Sequence, residues 1–371
     1  MSRPVLVALG RALPGAALLA LASVAQAEPS VTVVPLGFAV EEFRGPPSYF
    51  SRTLPTSPLL SERLPPDRPL VAAWGKGGGV AFHLDGGELK QVRWRADAAD
   101  GAPLHEAPRN GLASSRMQTR GALSVFLAAP RSDYRHGIFG APVEAGEVVV
   151  AEKQPLEGVS TQPRAVPVTT AKVSSGPDAV FEDREPRLVN LGEGATPAIL
   201  VVKSYLDKGS ALAVIQKSNG EWKIGAETPP IGSPQRWLNP AAVADFDGSG
   251  KLQIALVRTP HLDGVLQIWS FEGGRLALKH EARGYANHAV SSTALDNAVA
   301  VDLDGDGRPE LVIPTLDRKA LAILTMKDGI NELQRIALPA RIERGVAALG
   351  SGKEAHILAA LEDGRVVLVR P

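Results

Sequence analysis

The chain of 371 residues contains no cysteine, which excludes disulfides, thiol nucleophiles and thiolate metal sites. Stability must come instead from core burial, from closure of sheets, or from a metal held by harder ligands. An excess of one charge is also missing, since 40 basic residues stand against 40 acidic ones. Neither nucleic acid nor an anionic membrane surface is therefore expected as a partner. Beyond the N-terminal region no apolar run approaches the ~20 residues that span a bilayer, so no integral membrane segment is expected there. The chain lacks a G-x-S-x-G elbow, an H-E-x-x-H pair and a P-loop glycine pattern. No His and Asp residues are spaced as a triad or as a paired acid and base.

What is present begins with an N-terminal pattern. Arg3 and Arg11 precede a stretch of small residues and leucine from Ala12 to Val24, which ends in Ala25-Gln26-Ala27. This is the order of a secretory signal peptide, read as residues 1–27 with cleavage before Glu28. Pro14 and Gly15 interrupt the apolar run and argue against a membrane anchor. The expectation is an exported protein, periplasmic or secreted, with residues 28–371 forming a single domain. Within it, residues 38–67 carry Pro46-Pro47, Pro55, Pro58 and Pro65-Pro66 and read as irregular coil.

The remainder is built on 37 glycines and 30 prolines, too many for long helices and suited to a chain that turns often. Internal repeats decide the architecture. Ala241–Val257 and Ala298–Ile313 superimpose, each an apolar run, an Asp-rich loop and a second apolar run. Pro186–Val202 keeps the pattern without its acids, and Gly345–Leu361 keeps only the shape. A third apolar run, a turn that calls for positive φ (Asn219-Gly220, Gly273-Gly274, Asp328-Gly329) and a fourth run complete each unit. The clearest units are 186–235, 241–290, 298–340 and 346–371. Four short strands in each make one β-propeller blade, and continuous Val, Ile, Leu and Ala runs fit strands buried on both faces. The fold class is all-β, a propeller of four-stranded antiparallel blades. The last unit stops after three strands at Pro371, and Val31–Val34 is the expected fourth, closing the ring.

The loop Asp302-Leu-Asp304-Gly-Asp306-Gly-Arg308-Pro-Glu310 carries the strongest chemical signal. Three alternate aspartates project oxygens inward, the glycines permit a tight curl, and Glu310 with the Arg308 carbonyl completes a set suited to Ca2+. An EF-hand is excluded, because Ile313 stands where its bidentate Glu belongs and a strand follows instead of a helix. The loop at Asp245 keeps Asp247, with Ser249 and Gln253 at the other positions, and is a weaker second site on charge count. The D-x-D-G-x-G loop followed by an apolar strand resembles the FG-GAP or VCBS-type repeats of integrin-alpha-like propellers. That resemblance implies seven blades, calcium near the inner strands, and export in bacterial members. About six units can be counted directly, which is the alternative.

Polar clusters in the inter-strand loops are candidates for a ligand face: Asp133, Tyr134, His136, Arg236, Trp237, Asn239, His261, Asn287, His288, Asp317 and Arg318. In-register blades would gather such loops on one side. Two readings follow. One is a non-catalytic, calcium-stabilised module that recognises a protein or glycan through this face. The alternative is a carbohydrate hydrolase or lyase that uses its His, Asp and Arg residues. A cluster of His136, His261, His288 and Asp317 would mark a site.

Overall fold

The computed structural model describes residues 1, 29–46, 69–95, 108–113, 115–156, 158, 165–191 and 196–371. The signal-peptide reading and most of the Pro-rich segment therefore lie outside the described residues. The described chain is all-β, with one 3-10 turn at Gly352–Glu354 among the strands.

Six four-stranded antiparallel units can be traced. The first comprises β2 (Glu42–Arg44), β3 (Val71–Gly75), β4 (Gly78–Asp85) and β5 (Glu88–Arg95); the second, β6 (Gln118–Arg120), β7 (Leu123–Arg131), β8 (Glu144–Lys153) and β9 (Val168–Ser174). In the third, a broken inner strand, β10 (Ala179–Phe181) and β11 (Arg187–Val189), precedes β12 (Ala198–Tyr205), β13 (Gly209–Ser218) and β14 (Glu221–Glu227). The fourth runs through β15 (Leu238–Ala244), β16 (Gln253–Arg258), β17 (Val265–Glu272) and β18 (Arg275–Arg283). The fifth runs through β19 (Val299–Val301), β20 (Glu310–Pro314), β21 (Ala320–Thr325) and β22 (Asn331–Ala337). The sixth contains β23 (Ile342–Leu349), β24 (His356–Leu361) and β25 (Val366–Arg370).

Its fourth strand is β1 (Ser30–Val34), antiparallel to β25 in a register that sets Val31 opposite Val369 and Val34 opposite Val366. The N-terminal strand closes the last blade, as expected. A strand used this way cannot open a further blade, so the described residues make six blades and not the seven that the resemblance implies.

The unbroken apolar strands are explained by packing. Along β12, Ile199 and Val201 pack toward blade two, while Leu200 and Val202 pack toward blade four. Along β16, Ile254 and Leu256 face blade three, and Ala255 and Val257 face blade five. Alternate side chains of one strand serve two different cores, so neither face can be polar. Glycine allows neighbouring blades to come close, as at Gly345, where φ is 154° and a Cβ would lie 2.4 Å from the Phe43 ring of blade one.

Candidate functional site

Antiparallel strands send their connections alternately to two ends. Among the described residues, the links from first to second and from third to fourth strand within a blade emerge on one face, which carries Asp302–Arg308 and the Asp245 loop. Links from second to third strand and from blade to blade emerge on the other. The latter face carries the loops of Asp133, Tyr134, His136, Arg236, Trp237, His261, Asn287, His288, Asp317 and Arg318.

Between β19 and β20, carboxylate oxygens of Asp302, Asp304 and Glu310 lie within 4.8 Å of one another. The loop is held by its own backbone. Gly305 and Gly307 N–H groups donate to the two Asp302 oxygens at 2.7 and 3.0 Å, Asp306 N–H to Asp304 at 2.9 Å, and Leu303 N–H to Glu310 at 2.8 Å. Burial raises the Glu310 carboxyl above its ordinary value, and Asp304 adds to that rise. Hard oxygens brought together at the cost of like-charge repulsion fit a metal ion. Asp306 stands apart from the expected set, because its carboxylate is engaged by the Arg308 guanidinium, with Arg308 Nε at 2.9 Å. Three of the four expected carboxylates therefore converge.

On the opposite face His136, Arg236, Trp237 and His261 line a cavity of about 220 Å³, with Ile138, Leu262 and Val290 at its edge. His288 packs directly behind. Its Nε2 donates to the Ser292 carbonyl at 3.0 Å, which leaves Nδ1 as an acceptor for His261 Nε2 at 2.9 Å. That chain fixes both tautomers and leaves His261 Nδ1 with a lone pair. Burial drives His288 down to about 3 and His261 down to about 4, so both rings are neutral at ordinary pH. His136 donates from Nδ1 to Glu182 at 2.6 Å, and the other Glu182 oxygen accepts from Ser204 at 2.5 Å. Burial pushes the neighbouring Glu144 up to about 9, reinforced by Glu182 and Asp183.

The structure thus brings His136, His261 and His288 together and leaves Asp317 out. Asp317 caps its own turn, accepting from Thr315 Oγ1 and Lys319 N–H. Trp237 is 2% exposed and donates to the Glu182 carbonyl, so it packs as part of the cavity wall. Asn239 and Asn287 are also corrected: both are fully buried and donate to each other's backbone carbonyls, tying blade four to the link before blade five. Asp133 pairs with Arg131, Tyr134 is buried, and Arg318 is partly buried beside Glu343 and Glu362. Glu182 and Glu144 were missed. The run Glu182-Asp183-Arg184-Glu185 directly after a buried strand was the available signal, but charge runs usually mark solvated surface.

Near the axis, Arg116 pairs with Glu185 and Asp296, and Gln118 donates to Glu185 at 2.8 Å. This network lies at one end of a cavity of about 340 Å³ walled by inner-strand residues such as Ala241, Ala298 and Val346.

No protein-family model matches the chain, and no curated protein matches it. Among solved structures it is similar to a luciferin-regenerating enzyme, at 9% identity with a TM-score of 0.42, covering 92% of this chain and 95% of that one. It is also similar to BBS1N, solved in complex with ARL6DN, at 9% identity with a TM-score of 0.38, covering 81% and 74%. Both are β-propeller proteins. The architecture itself is carried by the strand pairing and its register, with blades two and three joined through β10 and β8.

Proposed function

We propose that this chain is an exported FG-GAP-type propeller, stabilised by Ca2+ at the Asp302 loop, that recognises a protein or glycan through the His136–His261 pocket. The observation that supports the binding role is the convergence of loops from blades two, four and their links on one small cavity. Its polar groups include the His136 and His261 imidazoles beside Arg236, and its rim carries exposed Leu262 and Val290 at 58% and 66%. An apolar rim around a few oriented polar groups is the usual make-up of a recognition site. Calcium is favoured at the other face because every donor there is a hard oxygen.

The test is saturation-transfer NMR with a panel of soluble glycans and peptides, comparing wild type with Val290→Trp, which fills the rim. Binding that vanishes in the variant at an unchanged thermal midpoint supports the reading. Equal binding by both proteins rules the pocket out. A second reading, an enzyme acting on carbohydrate, is favoured by the Glu182–His136 pair, because a buried carboxylate orienting a pocket imidazole is how a general base is held. Turnover that is lost in His136→Gln while binding persists would select it.

A further inference from the structure

We propose that the side-chain amide of Gln253 takes the place of a cation in the Asp245 loop, so that one residue decides which of two matching loops binds metal. The inference rests on reading the Asp302 loop as a calcium site.

The two loops share three backbone hydrogen bonds, and blade four lacks the fourth, which Gly305 N–H makes to Asp302 Oδ1 in blade five. Gly250 N–H donates to Asp245 Oδ2 at 2.8 Å, as Gly307 donates to Asp302 Oδ2 at 3.0 Å. Ser249 N–H donates to Asp247 Oδ1 at 3.0 Å, as Asp306 does to Asp304 Oδ1 at 2.9 Å. Phe246 N–H donates to Gln253 Oε1 at 2.7 Å, as Leu303 does to a Glu310 oxygen at 2.8 Å. Gln253 and Glu310 are both 4% exposed and both begin the second strand of their blade.

They differ at the remaining side-chain atom. In blade five it is a carboxylate oxygen that shares one small space with Asp302 and Asp304. In blade four it is an NH2 group, and Gln253 Nε2 donates to Asp247 Oδ1 at 2.8 Å. An amide supplies donors where a carboxylate supplies only acceptors. The blade-four loop therefore meets its acid with an internal donor, whereas the blade-five loop brings a third carboxylate into the same space. One acceptor in blade four, Asp245 Oδ1, is buried without a protein partner. With a carboxylate at position 253 it would join a three-oxygen set like that of blade five.

The experiment is calorimetric titration of calcium into the chelator-stripped full chain, for wild type, Gln253→Glu, Glu310→Gln and the double exchange. The expected stoichiometries are one, two, none and one, with affinity at the Asp302 loop falling at least tenfold in Glu310→Gln. Two sites in wild type, or one in Gln253→Glu, overturns the proposal. No binding by wild type overturns the calcium reading itself, and this inference with it. A second measurement needs no metal: with chelator present, the thermal midpoint should fall in Gln253→Glu and hold or rise in Glu310→Gln. The opposite order also overturns it.

Discussion

Deleting residues 28–36 removes β1 and opens the sixth blade. In the intact protein β1 makes a five-residue ladder with β25; Val34 is 8% exposed and Val31 packs against the core between blades five and six. Burying a valine fully is worth about 1.5–3 kcal/mol, and a net hydrogen bond about 1 kcal/mol. The gross contribution is then about 7 kcal/mol, opposed by about 1 kcal/mol per residue for ordering the strand. A net loss of about 2–3 kcal/mol should lower the thermal midpoint by about 3–4 °C in a domain of this size. The deletion also bares β25 as an edge, so the variant should associate at high concentration. The assay is calorimetry of the deletion variant alone and with a synthetic peptide of residues 29–36. The peptide should restore the midpoint by re-pairing with β25. A deletion variant that melts like wild type would refute strand closure as a source of stability.

His261 and His288 are held neutral near 4 and 3, against an unfolded value of 6.5. The unfolded chain binds protons there that the folded chain refuses, so stability should fall as pH drops from 6.5 toward 4, by about 3 kcal/mol per imidazole; a flat profile from pH 7 to 4 would count against the buried pair. Glu144, pushed up to about 9, works in the opposite direction and costs stability as pH rises from 4.5 toward 9. Glu144→Gln should accordingly melt higher than wild type at pH 8 and alongside it at pH 4. Gly264→Ala should cost about 2–4 kcal/mol in urea unfolding, because φ is 55° and a Cβ would sit 2.1 Å from the Tyr285 carbonyl oxygen.

The blades were legible because a strand buried on both faces has to be apolar at every position, as in Ile199–Val202, and because the turns carry Asn-Gly, Gly-Gly and Asp-Gly. Closure by Val31–Val34 followed from a three-stranded last unit. The acid loop was legible from spacing, except for Asp306, whose pairing with Arg308 is decided by a side chain two residues away. The loop-face residues were harder to judge. Loop position alone does not separate Asn239 and Asn287, which tie one blade to the next, from His136 and His261, which line a cavity. Glu182 was hidden because its role depends on His136 and Ser204, far away in sequence.

The most direct test of a calcium-stabilised propeller is the thermal midpoint of wild type and Asp304→Ala, each with calcium and with chelator. At a hundredfold excess over the dissociation constant, calcium should add about 2.7 kcal/mol to wild type, because the ion binds the folded loop and not the unfolded chain. Asp304→Ala should weaken calcium binding at least tenfold, about 1.4 kcal/mol, and so lose half or more of that gain. A wild-type midpoint that does not move with chelator would contradict the account and leave Asp302–Glu310 as a turn capped by its own backbone.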